Sequence, residues 1–393
     1  MHISRLVLRD FRAYHRLDLA LSPGVTLLYG PNAAGKTTVL EAVTVLALSK
    51  SARTNTDREL IAWDAAHNDL TPATARVSGV VERSDRTTQL DVIVQARGDA
   101  VVAGSSGGTA TKVLRVDGRP VRASDLIGFV RMVFFAPTDL ELLTGAPAER
   151  RRWLDAMLSQ LDSAYLRALN HYQKVMTQRN GLLRQWRDRG VPRQFRSELA
   201  FWDAQLAETG AVIMTQRRAA LADLSTHAAA HYATISASTR RLHATYAPSM
   251  QAEWHTSSDA QQALLAALQQ SHTDDIARQQ TSVGPHRDDI FVHDEGVDLG
   301  AYGSRGQQRS SVLALKLAEV AVMHARSGER PVLLLDDVLS ELDAVRRTHV
   351  TELVAQPGQQ SILTATGVAE FTPAFLAQAQ VLRVDHGHIA TLD

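Results

Sequence analysis

Apolar and polar positions change their period twice along this chain. From residue 3 to about 29 they alternate in two runs, "ISRLVLRDF" and "VTLLYG", parted by a turn at Ser22-Pro23-Gly24, which predicts two strands. "TVLEAVTVLALS" continues as a helix. "ARVSGVVE", "QLDVIVQA" and "KVLRVDGRPV" then return to period two, with Asp117-Gly118 as a hairpin turn. The small, polar segment 98–111 reads as a mobile hairpin tip, and "RMVFFAPTDLELL" as a buried strand ending at Pro137. From Arg150 the spacing becomes helical. Leu154, Leu158, Leu161, Tyr165, Leu169, Tyr172 and Met176 recur at steps of four and three along one face. This predicts a first helix ~35–40 Å long at ~1.5 Å per residue, a short arm rather than a long coiled coil. Helical texture lasts, with a break near Gly190-Val191-Pro192, to about Gln280. Strands return at "DIFVHDEGVDLG", "PVLLLDDVLSELD", "SILTATG" and "AQVLRVDHGHIA". The expected architecture is an α/β core built from both chain ends, 1–149 and 281–393, with a helical arm over 150–280.

Composition narrows the classes. At 393 residues, with 45% apolar and 21% charged positions, the chain is globular and longer than one average domain. It has no cysteine, which excludes disulfides, thiolate metal sites and cysteine nucleophiles, and suits a reducing, cytoplasmic compartment. No run of eighteen apolar residues spans a bilayer, and charges interrupt the first apolar stretch, so neither a membrane anchor nor a signal peptide is expected. Formal net charge is zero, so any nucleic-acid surface must be local. The candidates are Arg150, Arg151, Arg152, Arg167, Lys174, Arg179, Arg184, Arg187 and Arg189 on the first arm helix, with Arg53 and Arg58 after the helix that begins near Thr38. His286, in "GPHRDD", has no second histidine at metal-ligand spacing and reads as a structural group.

Three stretches carry chemistry. Gly30-Pro31-Asn32-Ala33-Ala34-Gly35-Lys36-Thr37 fits G-x-x-x-x-G-K-[ST] without deviation, between a strand and a helix, and Thr38 follows it. Its backbone N–H groups are expected to cradle phosphates, Lys36 to reach the β- and γ-phosphates of ATP, and the Thr37 hydroxyl to ligate Mg²⁺. "PVLLLDD" predicts a doubly buried strand with Asp336 in the Mg²⁺ shell at its C-terminal end, and Asp337 placed to orient water as a general base. A third loop, Gly303-Ser304-Arg305-Gly306-Gln307, opens a long amphipathic helix and suits an anion.

These motifs, with "RDFRAY" at 9–14, resemble the ABC-type ATPases of chromosome maintenance and recombination, the SMC/RecF group. "PTDLELLTGAPAERRRWLD" and "TSVGPHRDDI" are similar to its recombination-mediator branch, and the resemblance covers the whole chain. It implies an ABC-type ATPase head with Ser304, Arg305, Gly306 and Gln307 as signature. It further implies a D-loop over Ser340-Glu341-Leu342-Asp343, with Asp343 at the dimer seam, and Arg12 approaching nucleotide. It also implies an ATP-dependent homodimer, single-stranded and duplex DNA at gap junctions as ligand, and RecR and RecO as partners. The chain departs from the wider pattern. "RMVFFAP" offers no Q-loop glutamine, and Thr364 or Thr366 stands where a switch histidine is usual. Thr138 replaces the usual acid after the proline, and the second Walker B acid is Asp, which implies slow hydrolysis. Two other classes share part of this logic: the ATPase subunit of a membrane transporter and a non-hydrolysing scaffold. More than 260 residues separate the P-loop from the signature, much of them helices rich in Arg, which is longer than a transporter subunit needs.

Overall fold

The computed structural model describes residues 1–65, 72–97, 109–236 and 241–391. The chain divides into two compact units, Met1–Asp139 with Met323–Asp393, and Leu140–Val322. Residues 281–322 therefore group with the helical segment rather than with the C-terminal part of the core, where the sequence pattern had placed them.

The first unit carries β1 (His2–Phe11), β2 (Tyr14–Ala20), β3 (Val25–Tyr29), α1 (Lys36–Leu48), β4 (Thr74–Glu82), β5 (Thr87–Arg97), β6 (Thr109–Val116), β7 (Arg119–Val121), α2 (Ala123–Leu126) and β8 (Met132–Phe135). After the second unit come β12 (Val332–Asp336), α11 (Ala344–Val354), β13 (Ser361–Ala365), α12 (Pro373–Leu376), β14 (Ala379–Asp385) and β15 (His388–Thr391). One sheet is antiparallel, ordered β2-β1-β4-β5-β6-β7. The other, β15-β14-β3-β13-β12-β8, is parallel apart from β15. Leu6 and Leu8 of the first sheet, Val39 and Leu46 of α1, and Leu334 and Ile362 of the second share one core. A helix buried this completely shows little amphipathic period, which is why "TVLEAVTVLALS" reads as almost continuously apolar. Asp117 and Gly118 both adopt positive φ, 50° and 76°, in the β6–β7 hairpin. Of the expected hairpin tip, 109–111 begin β6, and 98–108 lie outside the described residues.

The second unit comprises α3 (Glu141–Thr144), α4 (Pro147–Leu161), α5 (Ser163–Arg189), α6 (Phe195–Ser236), β9 (Leu242–Ala247), α7 (Ser257–Gln270), α8 (His272–Arg278), β10 (Asp289–Asp294), β11 (Val297–Asp298) and α9 (Leu299–Tyr302). Helix α10 (Arg305–Ser327) begins in it. The single helix expected from Arg150 onward is two. The chain breaks at Asp162, whose carboxylate accepts the Ala164 N–H at 2.7 Å and caps α5, a role that short acidic side chains fill well. At 42 residues, α6 is the longest helix, about 63 Å at 1.5 Å per residue. Strand β9 pairs with β10, which ties the segment after residue 280 to the helices before it.

The expected basic face of this arm is only partly exposed. Arg152, Arg167, Lys174, Arg184, Arg187 and Arg189 face solvent. Arg179 does not: it is 0% exposed. Its Nε donates to Asp203 Oδ1 at 2.9 Å, and its Nη1 to Asp275 Oδ2 at 2.8 Å and Thr281 Oγ1 at 3.0 Å. Arg150 and Arg151 are likewise engaged, by the Asp289 carboxylate and the Asp288 carbonyl. Arg179 lies seven residues beyond Tyr172 and fourteen beyond Tyr165, with Trp186 seven further on, and all four are buried. A helix face repeats at that spacing, so the arginine belongs to the packed stripe.

The "GPHRDD" segment is structural. His286 Nε2 lies 2.9 Å from the Thr281 carbonyl, which can only accept, so Nε2 carries the proton. Nδ1 then accepts from the Tyr172 hydroxyl at 2.7 Å. Gly284, at φ +124°, leaves room for that hydroxyl; a Cβ there would stand 2.5 Å from it. Burial pushes the His286 pKa down to about 4. A depressed histidine pKa means the unfolded chain binds the extra proton first, so stability is lost as pH falls from about 6.5 toward 4. About 3 kcal/mol is at stake across that window. Thermal unfolding of wild type and His286→Gln at pH 7.5 and 4.5 reads it: the variant is expected to lose less stability on acidification.

Candidate nucleotide-binding site

The P-loop leaves β3 at the middle of the parallel sheet, flanked by β14 and β13. Gly30 donates to the Ala365 carbonyl at 3.3 Å, and a Cβ on it would lie 2.1 Å from the Val384 carbonyl oxygen, so the loop packs against β14 only with glycine there. Ala33 and Gly35 take positive φ, 64° and 111°, the kind of backbone turn from which anion-binding nests are built. The N–H groups of Asn32, Ala33 and Gly35 meet no acceptor among the described residues. Tyr14 braces the loop from beneath, its hydroxyl 3.2 Å from the Gly35 carbonyl. Lys36 Nζ donates to the carbonyls of Gly30 at 2.6 Å and Pro31 at 2.8 Å. Burial lowers the Lys36 pKa, opposed by the charges of Asp337 and Asp336. Thr38 is buried in the first turn of α1, its N–H donating to the Gly35 carbonyl at 3.1 Å.

Asp336 ends β12, where the sheet's C-terminal edge opens. Its Oδ1 accepts from Thr37 Oγ1 at 2.8 Å and from Thr364 Oγ1 at 2.8 Å. Residues 299 apart in sequence thus meet because β3, β13 and β12 are consecutive strands. Asp337 sits at φ 52°, a left-handed conformation costing about 1–2 kcal/mol in a non-glycine residue. Its N–H is held by Thr364 Oγ1 at 2.9 Å, while its Oδ1 is buried without a partner. Such an orphaned acceptor calls for a water or a cation beside it.

These groups fit a magnesium nucleotide. Among the described residues there is no group of three His, Cys, Asp or Glu side chains placed to hold a metal ion. A hydroxyl and a carboxylate 2.8 Å apart, beside a loop of open N–H groups, match the way Mg²⁺ is held, by few protein oxygens together with phosphate and water.

The remaining candidates are placed as follows. Arg12, at φ 54°, is engaged by Glu41 of α1 through Nη2 at 2.8 Å and Nε at 3.2 Å. Asp343 caps α11, accepting the Arg346 N–H at 3.0 Å. Arg53 approaches Glu41 at 3.7 Å. In the second unit, Ser304, Arg305 and Gly306 are exposed at the start of α10. Ser304 N–H donates to Gln307 Oε1 at 2.8 Å and Gln307 N–H to Ser304 Oγ at 3.3 Å, a reciprocal cap that shapes the loop. Gln308 anchors it by donating to the carbonyls of Leu299 and Gly300, both at 3.1 Å. The pattern of motifs did not single out Tyr14, Glu41 or Gln308. Tyr14 and Glu41 meet Gly35 and Arg12 at 21 and 29 residues' distance, and Gln308 reaches back to Leu299 and Gly300, contacts that no motif spacing announces.

A family model described as the RecF/RecN/SMC N-terminal domain matches residues 2–388. The DNA replication and repair protein RecF of Chloroflexus aurantiacus is 50% identical over 393 residues, 99% of each chain. The chain belongs to the RecF family. RecF of Roseiflexus castenholzii is equally similar, 50% over 393 residues and 99% of each chain. Among solved structures, the recombination mediator protein RecF with ATP, of the RecFOR pathway, superposes with a TM-score of 0.86 at 30% identity, covering 100% of this chain and 98% of that one. An Smc head domain from Pyrococcus furiosus matches at a TM-score of 0.52 and 17% identity over 100% of this chain and 96% of that one, a likeness of fold. The ABC-type ATPase head with a helical arm is thus the fold of this RecF-family chain. No helix among the described residues is long and apolar enough to cross a membrane.

Proposed function

We propose that this protein is an ATP-dependent DNA clamp of recombinational repair and replication, a mediator that helps load recombinase and supports the SOS response. The observation carrying this reading is the meeting of Thr37 and Asp336 at 2.8 Å beside a P-loop whose Asn32, Ala33 and Gly35 N–H groups meet no acceptor among the described residues, in a RecF-family chain. Lys36 and the loop amides would bind the triphosphate, and Thr37 and Asp336 would hold Mg²⁺. Asp337 orients the attacking water, from one methylene further back than a glutamate, and turnover is slow. Bound metal supplies charge neutralisation at the β- and γ-phosphates. Ser304 and Gly306 of a second copy close the far side of the nucleotide, so ATP bridges two protomers and its hydrolysis releases them. Exposed Arg152, Arg167, Lys174, Arg184, Arg187 and Arg189 suit a DNA backbone without reading sequence. Gap junctions, RecR and RecO follow from the family, whose solved members are described within a RecFOR pathway.

Sedimentation with and without ATP tests the clamp. Wild type is expected to shift from monomer to dimer on adding ATP, and both Lys36→Arg and Ser304→Arg to lose the shift, by at least about tenfold in association constant. Undiminished dimers in both variants would remove the sandwich. Measurable phosphate release that disappears in Asp337→Asn distinguishes this reading from a scaffold that never hydrolyses.

A further inference from the structure

Thr364 stands beside the acidic pair on the neighbouring strand β13, 4% exposed, and its one hydroxyl is used twice. It donates to Asp336 Oδ1 at 2.8 Å and accepts the Asp337 N–H at 2.9 Å. A hydroxyl has one proton and two lone pairs, so both bonds form at once, and each fixes the direction of the other. The strand register makes this possible: Asp336 pairs with Thr364 in the parallel β12–β13 ladder. The next residue, Asp337, leaves the ladder through its left-handed turn.

We propose that Thr364 is the positioning residue of the acidic pair, setting the rotation of the Asp336 carboxylate and the turn of Asp337 through one hydroxyl. This inference rests on the ATPase reading above. Thr37 Oγ1 shares Asp336 Oδ1 with Thr364, each at 2.8 Å, so Thr364 would still hold that oxygen were Thr37 to ligate a metal ion. The bond to the Asp337 N–H fixes the backbone from which that side chain leaves, and its buried Oδ1 lacks a protein partner. Thr364 acts through the two aspartates, not on nucleotide or water directly. Thr366, two residues on, is exposed and makes neither bond, so the hydroxyl at 364 is not interchangeable with the one at 366.

Two variants separate the hydroxyl from its methyl group. Thr364→Val keeps the branched shape and loses both bonds; Thr364→Ser keeps the bonds and loses the methyl. Binding of a fluorescent ATP analogue is measured with Mg²⁺ and with EDTA, alongside steady-state hydrolysis. Wild type is expected to bind more tightly with Mg²⁺. Thr364→Val is expected to lose at least tenfold of that Mg²⁺ enhancement while its EDTA affinity stays within threefold, and its kcat falls at least tenfold. Thr364→Ser is expected within threefold of wild type in all three readouts. If Thr364→Val matches wild type, or if Val and Ser lose equally in metal enhancement, the positioning role is overturned and the threonine only packs. Should Thr364→Val fail to fold, Thr364→Ser with Thr364→Ala decides: equal loss in both overturns the role, and loss in Ala alone supports it. A wild type with no Mg²⁺ effect overturns the metal site and this inference together, a result the variants cannot mimic.

Discussion

Replacing Arg179 by methionine is expected to destabilise the helical unit by about 3–5 kcal/mol. The arginine is buried completely, as are Asp203 and Asp275, and it is the group that joins α5, α6 and α8. Removing it leaves two buried carboxylates without the guanidinium they share, and desolvated charge without a partner is among the costliest defects a core can hold. The surrounding donors do not rescue it. Asp275 keeps Ser282, whose N–H and hydroxyl donate at 2.9 and 2.6 Å, and Asp203 keeps His272 at 2.7 Å, but neither neighbour spans both acids. Arg179→Lys retains charge but not the fork that reaches Asp203 from Nε and Asp275 with Thr281 from Nη1, so an intermediate loss of about 1–2 kcal/mol is expected. Urea unfolding followed by tryptophan fluorescence reports the region, since Trp186 is buried one stripe position along α5. A loss below about 1 kcal/mol for Arg179→Met would mean that the cluster is hydrated and that the ion pairs contribute as little as surface ones do.

The same residue shows how sequence reading succeeds and fails here. A run of arginines on a helix was expected to form one basic face, because charge alone predicts exposure. Spacing carries the better signal: extending Tyr165 and Tyr172 by sevens reaches Arg179 and then Trp186, and a charged residue on an apolar stripe implies buried partners. Those partners, Asp203 and Asp275, lie 24 and 96 residues away, and no local pattern links them to it. The break at Asp162 was similarly hidden. The stripe from Leu154 to Met176 passes through it, with Leu154 and Leu158 buried before the break and Tyr165 and Tyr172 after it.

The P-loop and the Walker B strand were readable because their chemistry is local: glycines for the turn, four apolar residues for a doubly buried strand, acids at its end. Their meeting at Thr37 and Asp336 was expected from the motif pair, whereas the third hydroxyl was not assigned this role. Thr364 stood out only as a residue other than histidine, and its use becomes visible once β13 lies between β3 and β12. The grouping of residues 281–322 with the helical unit has the same origin. Strand β10 finds its partner β9 within that unit, six residue pairs in register, and strand texture alone does not tell which sheet a strand joins.

Asp336→Asn is expected to lower ATP hydrolysis by about 10²–10³-fold and to abolish the Mg²⁺ enhancement of ATP binding. The substitution is nearly isosteric, and its side-chain oxygen can still accept from Thr37 and Thr364, so the fold at the strand end is preserved while the negative charge is lost. What disappears is the anionic oxygen that a hard divalent cation needs, and a neutral amide oxygen is a poorer ligand in a site with so few protein donors. Asp337→Asn separates the two acids. Asp337 contributes no hydroxyl-bonded oxygen to the Thr37 side, and its Oδ1 is the unpartnered one, so metal-dependent binding is expected to survive and hydrolysis to fall. In the proposed clamp, that difference would be read as lifetime. Asp337→Asn should hold ATP-linked dimers longer than wild type, because the bridge is not cut, whereas Asp336→Asn should form fewer of them at any ATP concentration. Nucleotide titration with and without Mg²⁺, phosphate release and sedimentation on both variants give the three readouts. Equal loss of metal enhancement in both would show that the pair acts as one shared carboxylate site, and the division of roles between Asp336 and Asp337 would have to be abandoned.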